Sequence, residues 1–416
     1  MKIVYFSWEF PPKIVGGLGT FTMEITQELV KMGNAVTVFT LCEDENIPTV
    51  DNWNGVEVHR PKILDFSSMF SLLADYNLRA WGEHIKFFSD VIAYNMLSAT
   101  KLVNQLISKD NREFDIIDAH DWLGIFGAVG AKKRLNLPLI FHVHSTEKGR
   151  CMGKGSRVIE EFEYKGGEEA DCIITVSKAM EDELRRLGFP RNKIRVCWNG
   201  VNAKKYNPDN VSIKKRQKIR KEYGITEDET MLLFIGRLVT VKGVQNLIES
   251  MPEVLNEFPK TKLVVLGKGD LEEDLKNRVK NHNLHNNVLF RTEFAPEDER
   301  IAHYAASDIV TLPSLYEPFG IVCTEALSMK KPVIVGAKDT SGMREQVIPN
   351  GDQQCGVHIN PFDIHDISWG IKTLLGAKEK LAEMGENGRK RVLENFTWPI
   401  IAKKTYDIYT EFVKGH

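Results

Sequence analysis

Two glutamates, Glu317 and Glu325, lie in a short stretch that follows an apolar segment ending at a proline. The apolar segment has the pattern of a buried strand. In the stretch from Ile321 to Met329, the apolar residues recur at helical spacing. We therefore predict a helix whose first backbone N–H groups lie near Phe319 and Gly320, where the positive end of the helix dipole suits a phosphate. Because the carboxylate of Glu325 can accept hydrogen bonds from both hydroxyls of a ribose, the stretch predicts a site for a sugar nucleotide.

The surrounding residues carry a family resemblance. Glu317 is followed by Pro-Phe-Gly, and Glu325, eight residues later, is soon followed by a Pro-Val strand; this pattern resembles the signature of retaining glycosyltransferases of the GT-B architecture. The resemblance implies that Glu317 contacts the donor sugar, that Glu325 contacts the ribose, and that the backbone of Phe319, Gly320 and Ile321 lines the donor site. The bland alternative is an ordinary strand-loop-helix unit whose glutamates only solvate the helix start.

The length of 416 residues predicts two domains, because it exceeds what one ordinary core supports. The resemblance implies an α/β fold of two doubly wound, Rossmann-like domains facing each other across a cleft. We expect an N-terminal acceptor-side domain at 1–208, completed by a C-terminal helix at about 397–416, and a nucleotide-sugar-binding domain at 209–396. Pro208 and its polar neighbours mark the expected linker.

Charge and composition exclude several classes of partner. The formal net charge of -2 provides no field for nucleic acid or an anionic membrane, and neither a signal-peptide pattern nor a bilayer-length apolar run is present. The six cysteines include no Cys-x-x-Cys pair, which favours reduced thiols packed as small hydrophobes. We therefore expect a cytoplasmic protein without stable membrane insertion, and the oligomeric state stays open.

A glycine-rich turn containing Gly16 and Gly17 separates the first predicted strand from the first predicted helix. This arrangement cradles phosphates in doubly wound folds, and glycines permit a close approach of backbone to ligand. No third glycine completes the dinucleotide fingerprint, so we expect no nicotinamide or other cofactor. Glycogen and starch synthases carry a lysine closer to this Gly-Gly pair than Lys13 is here, which leaves its role open. A plain tight turn is the alternative.

Polar residues follow two further predicted strands of the first domain. Asp121 stands at the end of one strand, within a His-Asp-Trp that resembles glycogen and starch synthases, and helix capping is its alternative role. His144 ends the next strand, where the family carries a histidine beside the anomeric centre of the donor sugar. His142 shares a face with His144, and we interpret it as a core histidine. Because third and fourth ligands lack an obvious source other than Asp121, we expect no metal here.

Two cations follow a predicted strand of the second domain. Arg237 stands where the strand ends and Lys242 comes five residues later, followed by Gly243. A guanidinium and an ammonium at a strand end suit a pyrophosphate, and the family has an arginine and a lysine at these places. Exposed side chains without a ligand are the alternative. Lys268 lies in the turn after the next strand, where relatives place the nucleotide base.

The resemblance implies transfer of a sugar with retention of its anomeric configuration. We favour glucose from ADP-glucose or UDP-glucose and a glycogen synthase-like acceptor, the non-reducing end of an α-1,4-glucan. No Asp-x-Asp triplet is present to hold a metal-bound diphosphate, so we expect Arg237 and Lys242 to stabilise the leaving group without a metal. The alternatives are transfer of another hexose to a small or lipid-linked acceptor, a sugar-nucleotide epimerase of the same architecture, and a binding-only protein.

Overall fold

The computed structural model describes residues 1–14, 16–41, 44, 46–73 and 84–413. The chain forms two compact units. The first comprises Met1–Val176, Glu181–Trp198 and Trp398–His416, and the second comprises Ser177–Met180 and Asn199–Thr397. The first unit therefore stops at Trp198, before the polar segment around Pro208, and resumes at Trp398. The sequence pattern from Leu78 to Ile107 favours one or two long helices, and positions 78–83 of that region lie outside the described residues.

The first unit is built on an eight-stranded sheet whose order is β3-β4-β2-β1-β5-β6-β7-β8. Its strands are β1 (Lys2–Phe6), β2 (Ala35–Phe39), β3 (Val50–Trp53), β4 (Val56–His59), β5 (Ile116–His120), β6 (Leu139–Val143), β7 (Cys172–Thr175) and β8 (Ile194–Val196). All pairs are parallel except β3 with β4. Central strands such as β5 and β6 are buried along their whole length, because helices cover both faces of a parallel sheet.

The second unit contains a six-stranded, wholly parallel sheet in the order β11-β10-β9-β12-β13-β14. Its strands are β9 (Thr230–Ile235), β10 (Thr261–Leu266), β11 (Val288–Arg291), β12 (Ile309–Leu312), β13 (Val333–Gly336) and β14 (Gly356–Ile359). The strand order reverses direction at β9 and β12, and in doubly wound sheets ligands bind at the carboxyl ends of strands near such a point.

Helices connect the strands of both sheets. In chain order they are α1 (Gly17–Lys31), α2 (Ser67–Leu73), α3 (Ile85–Thr100), α4 (Asp121–Leu135), α5 (Glu147–Arg150), α6 (Arg157–Glu169), α7 (Lys178–Arg186), α8 (Ile213–Glu222), α9 (Val244–Glu257), α10 (Glu272–Asn281), α11 (Glu297–Ala306), α12 (Ile321–Ser328), α13 (Met343–Gln346), α14 (Ile364–Leu375), α15 (Leu381–Asn395) and α16 (Trp398–Val413). Helix α3 continues as a π-helical segment, Lys101–Lys109. Both predicted Rossmann-like α/β sheets are therefore confirmed.

The last helix, α16, packs in the first unit although it comes from the end of the chain. Its buried residues Trp398, Ile401 and Tyr409 share one apolar core with Phe21 and Ile25 of α1. Burial of such side chains contributes roughly 1.5–3 kcal/mol each, so α16 is an integral part of this core.

The structure also contains no helix among its described residues that combines the length and the apolar composition needed to cross a bilayer.

Candidate functional site

Four loops at the carboxyl edge of the second sheet, those after β9, β10, β12 and β13, are joined by backbone hydrogen bonds. The bonds run from Leu238 N–H to the Lys268 carbonyl (2.9 Å), from Leu315 N–H to the Val241 carbonyl (2.8 Å), from Glu317 N–H to the Thr340 carbonyl (3.0 Å) and from Gly342 N–H to the Glu317 carbonyl (2.8 Å). Strands β10, β9, β12 and β13 are consecutive in the sheet. The structure therefore brings the predicted residues Arg237, Lys242, Lys268 and Glu317 to one connected edge.

Two glycines allow this close packing of loops. Gly243 has a φ of 69°, and a Cβ atom there would lie 1.9 Å from the carbonyl oxygen of Pro313. Gly320 has a φ of 88° and directly precedes α12, where a Cβ atom would lie 2.8 Å from Cγ of Met343. A side chain at either position would therefore combine a rarely adopted backbone conformation with a collision. The predicted helix start after Gly320 is present, with Ile321 as its first residue.

Glu317 and Lys242 form an ion pair at this edge. The Lys242 ammonium donates to Oε2 of Glu317, and the hydroxyl of Ser314 donates to the same oxygen at 3.2 Å. Glu317 is 8% exposed. Since an ammonium has three donors, Lys242 can keep this contact and still bind a phosphate oxygen.

Arg237 and Lys268 differ from this pair because both are exposed. Within the described part of the chain, the guanidinium of Arg237 has neither a hydrogen-bond nor an ion-pair partner, so its five donors are available to a ligand. The carbonyl of Lys268 accepts the backbone bond from Leu238 that joins the two loops.

Glu325 lies on α12 and is buried with a tyrosine. The hydroxyl of Tyr304 donates to Oε2 of Glu325 at 2.8 Å. Burial raises the pKa of the Glu325 carboxyl, and the positive charge of Arg300 acts in the opposite direction. Sequence reasoning missed Tyr304 and Arg300, because a tyrosine and an arginine within a helical pattern carry no local signal for a site.

Asp121 of the first unit holds the loop that follows β6. Its Oδ1 accepts hydrogen bonds from the backbone N–H groups of His144 at 2.7 Å and Ser145 at 3.4 Å. Asp121 has a φ of 51°, which is uncommon for a residue with a side chain. Burial raises the pKa of its carboxyl to about 6, and the charge of Arg150 opposes that shift. The side chain thus joins two strand-end loops, whereas helix α4 has no side-chain cap.

Gly16 and Gly17 lie at the start of α1. The N–H of Gly16 donates to Oε2 of Glu9 at 3.1 Å, and Gly17 is the first helical residue. Gly16 is extended, with a φ of -157°, and a Cβ atom there would meet nothing within 4 Å among the described residues. The turn therefore has open space beside Gly16.

His144 belongs to a cluster of three histidines in the first unit. Nδ1 of His120 and Nε2 of His144 are 2.9 Å apart, and the ring of His142 lies 4.6 Å from that of His144 between centroids. Burial lowers the pKa of His120 and His144 well below the usual value for histidine. His142 is completely buried, as expected for a core histidine. His120 was missed by sequence reasoning, although its position directly before Asp121 at a strand end was a usable signal.

Comparison with known proteins identifies the family of this chain. Residues 15–205 match the family described as Glycosyltransferase Family 4, and residues 215–391 match the family described as Glycosyl transferases group 1. An uncharacterized glycosyltransferase of Methanocaldococcus jannaschii is 32% identical over 98% of each chain. The glycogen synthase of Mycobacterium tuberculosis strain H37Rv is 27% identical over 100% of this chain and 96% of its own.

The fold is shared with solved structures. The sucrose-phosphate synthase of Thermosynechococcus elongatus superposes with a TM-score of 0.81 at 22% identity, covering 100% of both chains. Together with the two Rossmann-like sheets, these matches confirm the resemblance inferred from the glutamates and their surroundings. The chain belongs to the group 1 glycosyltransferases and has their two-domain GT-B fold.

Proposed function

We propose that this glycosyltransferase transfers glucose from ADP-glucose or UDP-glucose to the non-reducing end of an α-1,4-glucan, with retention of the anomeric configuration. The observation that carries the proposal is the connected edge of the second unit, where Arg237, Lys242 and Glu317 accompany the N-terminus of α12. The 27% identity to a glycogen synthase over the whole chain supports glucose and a glucan.

In this proposal Arg237 and Lys242 stabilise the departing nucleoside diphosphate. Negative charge develops on its phosphate oxygens in the transition state, and fixed cations that strengthen their contacts at that moment accelerate the reaction. The first-turn N–H groups of α12 add donors for the phosphate. The diphosphate then needs no metal ion to neutralise it.

Glu317 orients the sugar in this proposal, and Glu325 binds the ribose. Glu317 is not a nucleophile; the departing phosphate oxygen accepts the proton of the incoming hydroxyl on the same face of the sugar. Tyr304 occupies one oxygen of Glu325, and a carboxylate has about four lone-pair sites, which leaves acceptors for ribose hydroxyls. Lys268 serves the nucleotide base, where the backbone of its loop is already fixed by Leu238.

Asp121 and His144 of the first unit serve the same reaction in this proposal. Both follow strands at the carboxyl edge of the first sheet, the edge at which doubly wound folds bind ligands. Asp121 fixes the backbone of His144, so the two act as one positioned group. Gly16, which lies beside open space at the start of α1, and Gly17 let the backbone approach the ligand closely.

The decisive experiment is a panel of labelled sugar nucleotides, including ADP-glucose and UDP-glucose, against maltooligosaccharides, glycogen and small acceptors. We expect glucan chains to lengthen with a glucose donor. Arg237→Ala should lower kcat/KM by about 10²–10³-fold, as loss of a transition-state donor does elsewhere. Arg157→Ala is the control, because Arg157 is a highly exposed arginine whose partner is a neighbour on its own helix.

Other outcomes of the panel would contradict the proposal at different levels. Transfer only to small acceptors would contradict the glucan as acceptor but would still support a transferase. Release of an isomerised free sugar would favour an epimerase. Activity that is lost to a chelator and returns with magnesium would show that the diphosphate is held by a metal ion.

A further inference from the structure

Tyr304 of helix α11 binds the carboxylate of Glu325 on helix α12. The hydroxyl of Tyr304 donates to Oε2 of Glu325 at 2.8 Å and lies 3.3 Å from the carbonyl oxygen of Val322. Tyr304 is 0% exposed and Glu325 is 7% exposed. Because a carboxylate is rigid and planar, a bond that fixes one oxygen also fixes the direction in which the other oxygen points. The hydroxyl of Tyr304 therefore sets the orientation of the whole carboxylate.

Arg300 lies on the same face of α11, one turn before Tyr304, because residues four apart are neighbours on a helix surface. Its Nε atom is buried without a hydrogen-bond partner. Within the described part of the chain, its guanidinium takes part in neither a hydrogen bond nor an ion pair. Burial raises the pKa of the Glu325 carboxyl, and the positive charge of Arg300 lowers it. Arg300 therefore acts on Glu325 through its charge and not through a direct contact.

Two further groups, Tyr206 and Glu297, belong to the surroundings of Glu325. The hydroxyl of Tyr206 donates to Glu297 at 3.2 Å, and its ring meets that of Tyr304 edge-on, with 6.1 Å between centroids. Beside burial and the charge of Arg300, the two tyrosine hydroxyls lower the pKa of the Glu325 carboxyl, and the charge of Glu297 raises it. Of these four neighbours, only Arg300 carries a positive charge.

We propose that Tyr304 and Arg300 are positioning residues for the ribose of the donor: Tyr304 orients the carboxylate of Glu325, and Arg300 balances its charge. The inference rests on the assignment of the ribose to Glu325 in the proposed function. An ionised carboxylate that is held in one orientation accepts a hydrogen bond from the 2′-hydroxyl and another from the 3′-hydroxyl. A donor that lacks either hydroxyl leaves a buried carboxylate oxygen without its partner, so the site is specific for ribonucleotides.

The alternative role of the bond between Tyr304 and Glu325 is structural, since it also joins α11 to α12. Loss of a bond that only joins two helices would lower the Tm and would leave the preference for ribose unchanged. The preference for ribose therefore separates the two roles. It is measured as the Kd of a deoxynucleoside diphosphate divided by the Kd of the parent ribonucleoside diphosphate.

The test titrates the full chain with ADP, UDP and GDP, and then with the 2′-deoxy and 3′-deoxy forms of the one that binds most tightly. The wild type should prefer the ribose form by about tenfold or more, because each hydroxyl bonds a charged acceptor. Glu325→Ala should abolish this preference, and Tyr304→Phe should reduce it by about three- to tenfold. Tyr223→Phe is the matched control and should keep the preference, because the Tyr223 hydroxyl also contacts a side chain of α11, lying 2.8 Å from Nε2 of His303.

A series of the same titrations at different pH values tests Arg300 separately. The preference for ribose should be present above the pKa of the Glu325 carboxyl and should be lost as the pH falls through it, because the protonated group gives up an acceptor site. Arg300→Met removes the charge that lowers this pKa, so the loss should move to higher pH. Arg300→Lys keeps a positive charge and should restore the wild-type profile.

The proposal is overturned if Tyr304→Phe keeps the wild-type preference while Glu325→Ala loses it, or if Arg300→Met leaves the pH profile unchanged. If Tyr304→Phe does not fold, the comparison of Arg300→Met with Arg300→Lys decides the question. If Glu325→Ala keeps the preference, or if none of the three diphosphates binds the wild type, the ribose assignment in the proposed function is wrong, and this inference fails with it.

Discussion

Glu317 is held at three atoms, since its backbone N–H and carbonyl bond the loop after β13 and its side chain binds Lys242. A glutamate fixed in this way is oriented before any ligand arrives. Its charge also compensates the ammonium that is proposed to meet the phosphate. We therefore expect Glu317 to contribute more to turnover than to binding of the donor.

We predict that Glu317→Gln lowers kcat by about 10²-fold or more, because it removes a preorganised charge from the sugar site. The Kd of the donor should change little, because Lys242 is then free to bind phosphate alone. Steady-state kinetics and direct titration with the sugar nucleotide measure the two effects. Glu273→Gln, at a highly exposed glutamate of the same unit, is the control. Equal losses in kcat and donor affinity would assign Glu317 to simple binding.

For single residues, the sequence predicted where the side chains lie better than it predicted which residues they contact. Strand ends placed Arg237, Lys242 and Glu317 correctly at one edge, because polar residues after buried strands of a parallel sheet collect there. The pairing of Lys242 with Glu317 crosses 75 residues of sequence, and no local pattern encodes it. Likewise, Asp121 was open to helix capping until the structure placed the His144 amide on its carboxylate.

At the level of secondary-structure elements, Gly243 determines how helix α9 begins. It has left-handed backbone and touches the loop after β12, so the position of Lys242 depends on its lack of a side chain. Sequence reasoning found this glycine because it follows a lysine just ahead of a predicted helix.

We predict that Gly243→Ala reduces the free energy of unfolding by clearly more than Gly224→Ala does. Both glycines have positive φ values, 69° and 64°, so both alanines cost about 1–2 kcal/mol of backbone strain. Only Gly243 has a carbonyl oxygen, that of Pro313, where the new atom would lie, whereas Gly224 has open space. Urea denaturation of the two variants measures the difference, and equal losses would show that the loop contact is unimportant.

Among the strands, sequence reasoning missed β3, which pairs antiparallel with β4. Asn54 and Gly55 between them have φ values of 51° and 89°, as a tight hairpin turn requires. The Asn-Gly pair was a usable signal. The polar residues of β3 obscured it, because this edge strand is largely exposed and lacks the apolar pattern of a buried strand.

On the scale of the whole molecule, the first unit depends on both ends of the chain. Tyr409 of α16 donates to Asp118 of β5, and its hydroxyl lies 2.7 Å from that of Tyr5 in β1. All three residues are completely buried. The resemblance alone suggested a final helix returning to the first domain, since neither hydrophobic period nor capping residues reveal which unit a helix joins.

We predict that Tyr409→Phe lowers the free energy of unfolding by about 1–3 kcal/mol, because it leaves the buried carboxylate of Asp118 without its donor. Tyr406→Phe is the control, as Tyr406 lies on the same helix and is only partly buried. Denaturation followed by a signal from the first unit measures the free energy of unfolding of both variants. If they lose the same amount, the hydroxyl of Tyr409 contributes nothing beyond its ring.

The place of α16 in the first core has a consequence during synthesis. When Trp198 leaves the ribosome, the eight strands of the first sheet are complete, yet the apolar groove that receives α16 is bare. It stays bare while the entire second unit is translated, for roughly tens of seconds at ordinary elongation rates. The nascent protein therefore exposes this apolar groove throughout the interval. We expect chaperones that recognise apolar segments to bind it during that time.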